Sequence, residues 1–387
     1  MNSIILVDIE AARTGLLPLT FTRPVAGIRV GALTIREKWQ RMLPGDYSYL
    51  TQEYLAEKFP MGDATSEDTL FIAGNLLPDP ALVEYITLLK PGQALSIDGE
   101  NVAVRGSMDT YKAVSEAGMP VNGVMLRSVI DIFKLNGEQI RHDWRLLTNG
   151  RSSAPLSATV TVIGDPSEVF VEQGCDIECA SINTKHGPVY IGAGVEVMEG
   201  ARLRGPLAVM EGTKIKMNAM VYEDCTFGPE CRIAGETANA VFQGFSNKGH
   251  DGVCLNAVIG EWCNIGAAST ASNLKNNYAP VKVWSYAKKG FVKTNEQFCG
   301  LIMGDHSKLA INTSLNTATT VGVGVNFFGA GFPRTYIPSF SFGSPVKMTK
   351  MPFEDVIETA RIMMGRRHVE LTDADERILR YLYEHAD

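Results

Sequence analysis

A six-residue apolar repeat is the feature of this sequence that most constrains its fold. Eight positions at this spacing carry a large apolar side chain: Ile191, Val197, Leu203, Val209, Ile215, Val221, Phe227 and Ile233. In a chain that is 45% hydrophobic, eight such positions at one preset spacing arise by chance about twice in a thousand. The repeat therefore indicates a regular structure with six residues per unit.

A second set of residues supports the same six-residue unit. Each of them lies two positions before a member of the first set. Most of its members are smaller: Val195, Ala201, Leu207, Thr213, Ala219, Cys225 and Cys231. Residues i and i−2 of an extended strand face the same way, so each unit turns one large and one smaller side chain inward. This pairing predicts a parallel β-helix of hexapeptide repeats, whose coils stack about 4.8 Å apart.

The repeat returns twice further along the chain. Its later members are Val253, Ile259, Ile265 and Ala271, then Met303, Leu309, Leu315, Val321 and Phe327. Cys225, Cys231 and Cys263 fall on the inward positions for smaller side chains, where cysteine is an inert core residue. A β-sandwich is the alternative, although its strands have period two and irregular spacing.

The repeat is interrupted between Ile233 and Val253, which are twenty positions apart. Because twenty is not a multiple of six, we expect the β-helix to extrude a loop that contains SNKGHDG, residues 246–252. Lys248 offers a charge for a phosphate, and His250 can transfer a proton near neutral pH. Loops on a rigid scaffold often carry function. A solvated turn without function is the alternative.

The first 150 residues have a different pattern. The strand-like segments SIILVD and TLFIAGN alternate with the helix-like segments GALTIREKWQRM and PALVEYITLL, which predicts a parallel sheet covered by helices. The loop after the first strand contains Arg13, Arg23 and Arg29. Guanidinium groups bind phosphate oxygens bidentately, so these arginines are candidates for a triphosphate site. Arginines on a solvated loop are the alternative.

The local composition of the chain divides it into three segments. The stretch LTNGRSSAPLSATVT is small and polar and indicates a boundary. Near the C-terminus, PFEDVIETARIMMGRRHV and TDADERILRYLYEHAD have the pattern of amphipathic helices, and Thr372 with Asp375 predicts a capping-box variant. We therefore predict an α/β domain over residues 1–152, a β-helix over 153–350 and a helical tail over 351–387.

The overall composition limits the functions that are plausible. A formal net charge of −7 disfavours non-specific nucleic-acid binding, which relies on a basic surface. No apolar stretch has the length of a membrane span. The N-terminal apolar run is interrupted by Asp8 and Glu10 and predicts a buried strand rather than a signal peptide. Seven cysteines without a CxxC pair indicate a reduced, cytoplasmic protein and disfavour a cysteine metal site.

One long segment of the β-helix resembles a known family. GHDGVCLNAVIGEWCNIGAASTASNLKNNYAPVKV is similar to the acetyltransferase half of the GlmU family, bifunctional glucosamine-1-phosphate acetyltransferases and N-acetylglucosamine-1-phosphate uridylyltransferases. The shared residues are Gly249-His250, Gly260, Asn264-Ile265-Gly266-Ala267 and Asn277-Tyr278. With NKGHDG, GEWCNIGA, NLKNNY and GDHSKLAINTSLNT, residues 230 to 345 resemble more closely a branch of bacterial and archaeal sugar-phosphate nucleotidyltransferases that have a left-handed β-helix.

The resemblance implies roles for individual residues. His250 takes the position of the catalytic base, which removes a proton from an amino sugar before it attacks a thioester. The contacts to the amino sugar and to acyl-CoA fall on Asn264, Asn277 and Tyr278, and the basic residue that serves the phosphate falls on Lys282. The sequence departs from the better-known enzymes at Val253, where they have tyrosine, and at Ala268, where they have glycine.

The N-terminal segments resemble sugar-1-phosphate nucleotidyltransferases. EAARTGLLPLTFTRPVAGIRVG is similar to the loop that follows the first strand in that family, with Arg23-Pro24 at the position of a lysine pair. FIAGNLLPD is similar to a strand ending in Gly-Asp, whose aspartate binds magnesium. The resemblance thus places Asn75 at the metal position, with Asp79 nearby and Asp131 as a second ligand, and it implies Mg²⁺ as a cofactor.

Together these features predict a cytoplasmic, homotrimeric transferase of sugar-nucleotide synthesis. An α/β nucleotidyltransferase-like (Rossmann-like) domain would join an NTP (UTP or dTTP) to a sugar 1-phosphate, as in UDP-N-acetylglucosamine synthesis. An all-β left-handed parallel β-helix of hexapeptide repeats, followed by C-terminal helices, would transfer acetyl from acetyl-CoA to an amino-sugar phosphate such as glucosamine 1-phosphate. Neither a nucleic acid nor a membrane is an expected partner.

Three alternatives stay open. One is a nucleotidyltransferase whose β-helix only assembles trimers. The second is an acetyltransferase whose N-terminal domain binds nucleotide without turning it over. The third is a non-catalytic β-helix scaffold that binds sugars or partners. Separate measurements of pyrophosphate release and of free CoA distinguish all three.

Overall fold

The computed structural model describes residues 3–386, which form two compact units. Residues 3–16, 22–28 and 33–128 make the first unit, and residues 17–21, 29–32 and 129–386 make the second. The helix Val129–Thr148 belongs to the second unit. The boundaries that the sequence suggests, after residues 152 and 350, stay predictions.

The first unit is an α/β domain around one six-stranded sheet. Its elements, in chain order, are β1 (Ser3–Val7), α1 (Glu10–Gly15), α2 (Ile35–Met42), β2 (Asp46–Leu50), β3 (Leu70–Ala73), β4 (Leu76–Leu77), α3 (Pro80–Leu88), β5 (Ala94–Ile97), β6 (Glu100–Arg105), α4 (Met108–Ala113), β7 (Met119–Pro120) and β8 (Val124–Met125). The strand order in the sheet is β2-β1-β3-β6-β5-β7, and β4 pairs with β8. Two short 3₁₀ helices, Val25–Gly27 and Glu53–Leu55, lie in its connections, whereas the 3₁₀ helix Leu19–Phe21 belongs to the second unit.

The sheet is mixed, which corrects the expectation of a parallel sheet. β1 is parallel to β2 and to β3, whereas β6 is antiparallel to β3 and to β5. Asp98 and Gly99 join β5 to β6 with φ angles of 52° and 81°. Two positive φ angles in a two-residue connection are typical of a type I′ turn, whose twist closes an antiparallel hairpin. The Asp-Gly pair is the sequence signal for this hairpin.

Two helices of the first unit begin at residues whose side chains cap them. Thr34 and Glu37 form a reciprocal capping box at the start of α2, and Asp79 accepts a hydrogen bond from Leu82 N at the start of α3. Such bonds satisfy backbone N–H groups that have no partner inside the helix. Both helices are confirmed at the segments where the apolar pattern predicts them.

The second unit contains a parallel β-helix of about ten coils. Face 1 contains Thr161–Ile163, Ser181–Asn183, Arg202–Arg204, Met220–Val221, Thr270–Ala271 and Ser314–Leu315. Face 2 contains Val169–Val171, Val189–Ile191, Leu207–Val209, Cys225–Phe227, Ile302–Met303, Thr320–Val321 and Tyr336–Ile337.

Face 3 contains Asp176–Ile177, Glu196–Val197, Lys214–Ile215, Arg232–Ile233, Asn247–Lys248, Asn264–Ile265, Lys308–Leu309, Asn326–Phe327 and Ser341–Gly343, with Met348–Lys350 added antiparallel at the end. The long strands Glu236–Gly244 and Val253–Glu261 each run through faces 1 and 2.

The six-residue repeat is confirmed as the inward face of these strands. All eight residues of the first series belong to one buried apolar cluster, together with Cys225, Cys231 and Cys263. Burial raises the pKa of the Cys231 thiol to about 12, which keeps it protonated. Val253 is an exception, because Cys254 and not Val253 occupies the buried position beside Thr237.

The expected loop between Ile233 and Val253 is wrong. Arg232 pairs with Asn247 and Glu236 pairs with Val253, so this segment completes a shortened coil within the stack. The insertion lies later, where Val258 pairs with Ile302, 44 positions further on. We call residues 273–299 the arm. It contains the antiparallel hairpin Lys282–Ser285 and Gly290–Lys293.

Three further helices complete the second unit. Helix α5 (Val129–Thr148) packs on the β-helix, where its Asn136 Nδ2 donates to Asp224 O at 2.8 Å. Helices α6 (Phe353–Gly365) and α7 (Asp373–His385) confirm the two amphipathic segments at the C-terminus. Thr372 and Asp375 form the predicted capping box of α7.

Candidate functional site

The strand order of the first unit predicts a crevice where the direction of its strand connections reverses. β1 lies between β2 and β3, with all three strands parallel. Connections that leave a central strand toward opposite edges leave a crevice at the carboxyl ends of the strands, where α/β proteins bind ligands. The segments at this edge are Asp8 onward after β1 and Gly74-Asn75 after β3.

Asp8 is the carboxylate at the end of β1. Its Oδ1 accepts the Val25 N–H at 2.8 Å, and its Oδ2 accepts the Thr51 hydroxyl at 2.6 Å. Burial raises the pKa of Asp8 to about 6. The two hydrogen bonds and the charge of Arg13 lower the pKa, but their effect is smaller than that of burial. A carboxylate that is held in place and titrates near neutral pH is typical of a functional site. Sequence reasoning missed this residue, although the strand that ends in Asp was its signal.

Gly74 and Asn75 form the other wall of the crevice. A Cβ at position 74 would lie 3.1 Å from Val7 O and 3.5 Å from Asp8 Oδ1, so glycine leaves room beside the carboxylate. Asn75 is buried, and its Nδ2 donates to Leu126 O at 2.8 Å. Its Oδ1 is buried without a hydrogen-bond partner among the described residues. Such an oxygen is available to a ligand.

Arg13 and Arg23 lie in the loop that follows β1. Both are buried, with exposed fractions of 9% and 7%. Arg13 donates to the Tyr54 hydroxyl at 2.8 Å and lies over its ring. Arg29 belongs to the second unit instead, where its backbone N–H donates to Gln243 Oε1 at 2.7 Å and its Nε donates to Gln243 O at 3.3 Å. The structure thus gives Arg29 a bonding role on the β-helix.

The predicted metal residues fall in different places. Asn75 is at the crevice, Asp79 caps α3, and Asp131 lies in the first turn of α5, in the second unit. Within residues 3–386, no group of three or more His, Cys, Asp or Glu side chains is placed to hold a metal ion.

On the β-helix, the segment SNKGHDG is part of a coil and forms the turn between face 3 and face 1. His250 is exposed, whereas Lys248 is 1% exposed and occupies an inward position. The Lys248 Nζ donates to His250 O and, at 2.9 Å, to Asp251 O. Burial lowers the pKa of this ammonium. Lys248 is therefore directed into the core, and its role as a ligand for a phosphate stays a prediction.

Asn264 is exposed on the next coil of face 3. The Asn247 Nδ2 lies 3.4 Å from its Oδ1, and Arg367 donates to Asn247 Oδ1 at 3.0 Å. Lys308 lies on the following strand of face 3, where it pairs with Asn264. Burial lowers the pKa of Lys308 to about 8. Sequence reasoning named Asn264 but missed Lys308 and Arg367, although Lys308 lies within the quoted GDHSKLAINTSLNT.

The remaining predicted residues lie on the arm. Asn277, Tyr278 and Lys282 are all exposed. Asn277 Oδ1 accepts the Ala279 N–H at 3.2 Å, and the arm is tied to the coil by Cys299 N–H donating to Asn273 O at 2.9 Å. No hydrogen bond in the described chain joins the side chains of these three residues to His250 or Asn264.

The fold and these sites define a class. The chain combines a nucleotidyltransferase-like α/β domain, with a polar crevice at the switch point of its sheet, and a parallel β-helix that carries an exposed histidine. Residues 4–152 match the family model described as "Sugar nucleotidyl transferase", so this part of the chain is similar to sugar nucleotidyl transferases. No curated protein matches the sequence significantly.

The helices of the described chain fall short of a membrane span. None within residues 3–386 is both long enough and apolar enough to cross a bilayer.

Proposed function

We propose that the first unit transfers a nucleotidyl group from an NTP to a sugar 1-phosphate at the crevice beside Asp8. A phosphate oxygen of the sugar phosphate attacks the α-phosphorus of the NTP, and the bond to the β-phosphate breaks to release pyrophosphate. The observation that carries this proposal is the buried, polar carboxyl edge of β1 and β3, within a segment that matches sugar nucleotidyl transferases.

The side chains at the crevice suit the charges of this reaction. Arg13 and Arg23 supply guanidinium groups that can bind phosphate oxygens bidentately. Asp8 and the unpartnered Oδ1 of Asn75 are oxygen donors, which Mg²⁺ prefers. These two residues would hold the ion, which neutralises phosphate charge when it is bound. The role of Asp131 as a metal ligand stays a prediction.

Variants of two aspartates test the assignment. Asp8→Asn keeps the shape of the side chain but removes the charge, and we expect pyrophosphate release to fall by at least about a hundredfold. Asp79→Asn is the matched control, because asparagine caps a helix as well as aspartate does and the Asp79 side chain accepts the Leu82 N–H at the start of α3. Equal activity of the two variants would remove Asp8 from the mechanism.

Arginine variants test the nucleotide site. Arg23→Ala should weaken NTP binding by about 1–3 kcal/mol, the usual contribution of a charge-assisted contact. Arg29→Ala should leave NTP affinity unchanged once folding is verified, because Arg29 bonds to Gln243. Calorimetric titration of an NTP measures both, and unchanged affinity in Arg23→Ala would contradict the assignment.

A second function, acetyl transfer on the β-helix, is supported by the exposed His250. We propose that its imidazole removes a proton from the ammonium of an amino-sugar phosphate. The amine nitrogen then attacks the thioester carbon of acetyl-CoA, the C–S bond breaks, and CoA leaves as a thiolate that takes up a proton. Asn264, Asn277 and Tyr278 would contact the substrates and Lys282 the phosphate.

Release of free CoA tests this second function. A histidine base contributes about 10²–10⁴ in rate, so His250→Ala should lose that much. His186→Ala is the matched control, since His186 is also exposed on a turn of the β-helix. If the two variants release CoA at the same rate, the base lies elsewhere. If the wild type releases none with any amino-sugar phosphate, the first function stands alone.

We also propose that the chain assembles as a cytoplasmic homotrimer through the β-helix. Met217, Met220 and Ile311 are exposed apolar side chains on this unit, and exposed apolar surface marks interaction sites. The seven cysteines are all free thiols. Sedimentation equilibrium at micromolar concentration tests the assembly: a mass of one chain would contradict it.

A further inference from the structure

We propose that the turn of residues 249–252 binds an anionic oxygen through its backbone N–H groups, and that the buried ammonium of Lys248 holds this turn in its binding conformation. The catalytic consequence rests on the proposed acetyl transfer, because the same turn carries His250. The binding itself does not depend on that activity.

Lys248 is an exception among the inward residues of face 3. Its register partner Ile233 is a buried apolar side chain, and so is Ile265, the inward residue of the next coil. An ammonium in such a position is unfavourable unless hydrogen bonds satisfy it. The carbonyl oxygens of His250 and Asp251 supply those bonds. The lysine thus ties two consecutive carbonyls of the turn to the core of the β-helix.

The N–H groups of the same turn have no acceptor among residues 3–386. On neighbouring coils, the residue after the inward position donates to the next coil, as Ala234 N–H does to Lys248 O and Gly266 N–H does to Leu309 O at 2.9 Å. Within the described chain, the N–H groups of residues 249–252 make no such bond. A ladder of hydrogen bonds is therefore interrupted at this turn.

Peptide geometry directs some of these donors away from the core. In a trans peptide the N–H points opposite to the C=O. Because His250 O and Asp251 O point at the Lys248 ammonium, the N–H groups of Asp251 and Gly252 point away from it. A cation on the carbonyl side also polarises each peptide unit and makes its N–H a better donor. Successive N–H groups of this kind form anion-binding concavities.

The surroundings leave room for a ligand. A Cβ at Gly249 would meet only Arg232 Cβ, at 3.9 Å, so the space beside the turn is open. Gly252 has φ of +124°, and a Cβ there would lie 2.1 Å from Ser269 O and 3.1 Å from Lys248 Nζ. The glycine is therefore required by the approach of the Ser269 backbone and by its positive φ. The exposed carboxylate of Asp251 is a negative charge on the same turn, and it disfavours the binding of an anion.

The ligand that fits is a small oxyanion. It would come either from the phosphate of a substrate or from the carbonyl oxygen of the acetyl group, which becomes negative during transfer. Both place a negatively charged oxygen beside the imidazole of His250. Inorganic phosphate is a probe for the first source, and acetate is a probe for the second.

Backbone ¹⁵N labelling of histidine tests the site directly. The chain has six histidines, so at most six amide signals appear, and loss of one in His250→Gln assigns the signal of residue 250. We expect this signal to move saturably when inorganic phosphate or acetate is added to the wild type, and the tighter of the two probes identifies the source. A signal that does not move with either probe would overturn the proposal.

Variants test the role of the lysine. Lys248→Met has a similar volume but no charge and should weaken phosphate binding by about tenfold or more. Lys214→Met is the matched control on face 3, because Lys214 pairs with Glu196 at the surface. Asp251→Asn should tighten binding. Unchanged affinity in Lys248→Met, or in Lys248→Gln if the first variant does not fold, would show that the lysine does not organise the site.

Discussion

Replacement of Asp8 by asparagine should stabilise the first unit at neutral pH. The pKa of Asp8 is raised from 3.8 to about 6, chiefly by burial. At about 1.4 kcal/mol per pKa unit, this shift sets an upper limit near 3 kcal/mol on the destabilisation by the ionised carboxylate. Asp8 is only half-buried, so solvent screening lowers the value, and we expect about 1–3 kcal/mol.

The sign follows from proton linkage. The folded state holds the proton more tightly than the unfolded state, so stability falls as the pH rises from about 3.8 to about 6. Asparagine cannot ionise, yet its amide can keep the bonds to the Val25 N–H and to the Thr51 hydroxyl. The variant should therefore lack this pH dependence, and its advantage over the wild type should disappear near pH 4.

Hydrogen exchange of β1 and β3 measures the stability of the first unit separately from that of the second. We expect slower exchange in Asp8→Asn than in the wild type at pH 7.5, after correction for the intrinsic rate, and equal protection near pH 4. A variant that is less protected at pH 7.5 would refute the reasoning. So would a difference from the wild type that is the same at both pH values.

Three further predictions concern single side chains. Thr51→Val removes a hydrogen bond that lowers the pKa of Asp8, so the midpoint of the stability profile should move above pH 6 in the same exchange experiment. Gly137→Ala would place a Cβ 1.9 Å from Asp224 Oδ1 and should destabilise the second unit by about 1–3 kcal/mol in urea unfolding; an unchanged midpoint would contradict the packing of α5. The pKa of Lys308 is lowered to about 8, so the unfolded state binds more protons and stability should rise between about pH 8 and 10.5. Lys308→Met should abolish that rise, and a rise that persists in the variant would contradict the burial of this lysine.

The sequence predicts the β-helix well because its signal is redundant. Each coil repeats the same inward pair, so one irregular coil does not hide the pattern. The prediction fails between Ile233 and Val253, where a spacing of twenty positions, which is not a multiple of six, led us to expect an extruded loop. The structure keeps the coil because the His250 and Asp251 carbonyls satisfy the ammonium. A side-chain hydrogen bond of this kind does not alter the six-residue pattern, so the sequence pattern does not reveal it.

The arm and the crevice show two other limits. The arm follows Ala271, and its hairpin pairs Lys282 with Lys293; a gap in the repeat shows that residues are inserted but not how they fold. The crevice depends on Asp8, Gly74 and Asn75, which come together only because β1 and β3 are neighbours in the sheet. Strand order is a property of the whole sheet, so the sequence indicated Asn75 only through a resemblance and passed over Asp8.

The most direct test of the central claim is pyrophosphate release by the wild-type chain with Mg²⁺, NTPs and a panel of sugar 1-phosphates. The account predicts pyrophosphate only when an NTP and a sugar 1-phosphate are both present, with one NDP-sugar formed for each pyrophosphate. Pyrophosphate that is absent across the whole panel, or that forms equally without a sugar phosphate, would contradict it.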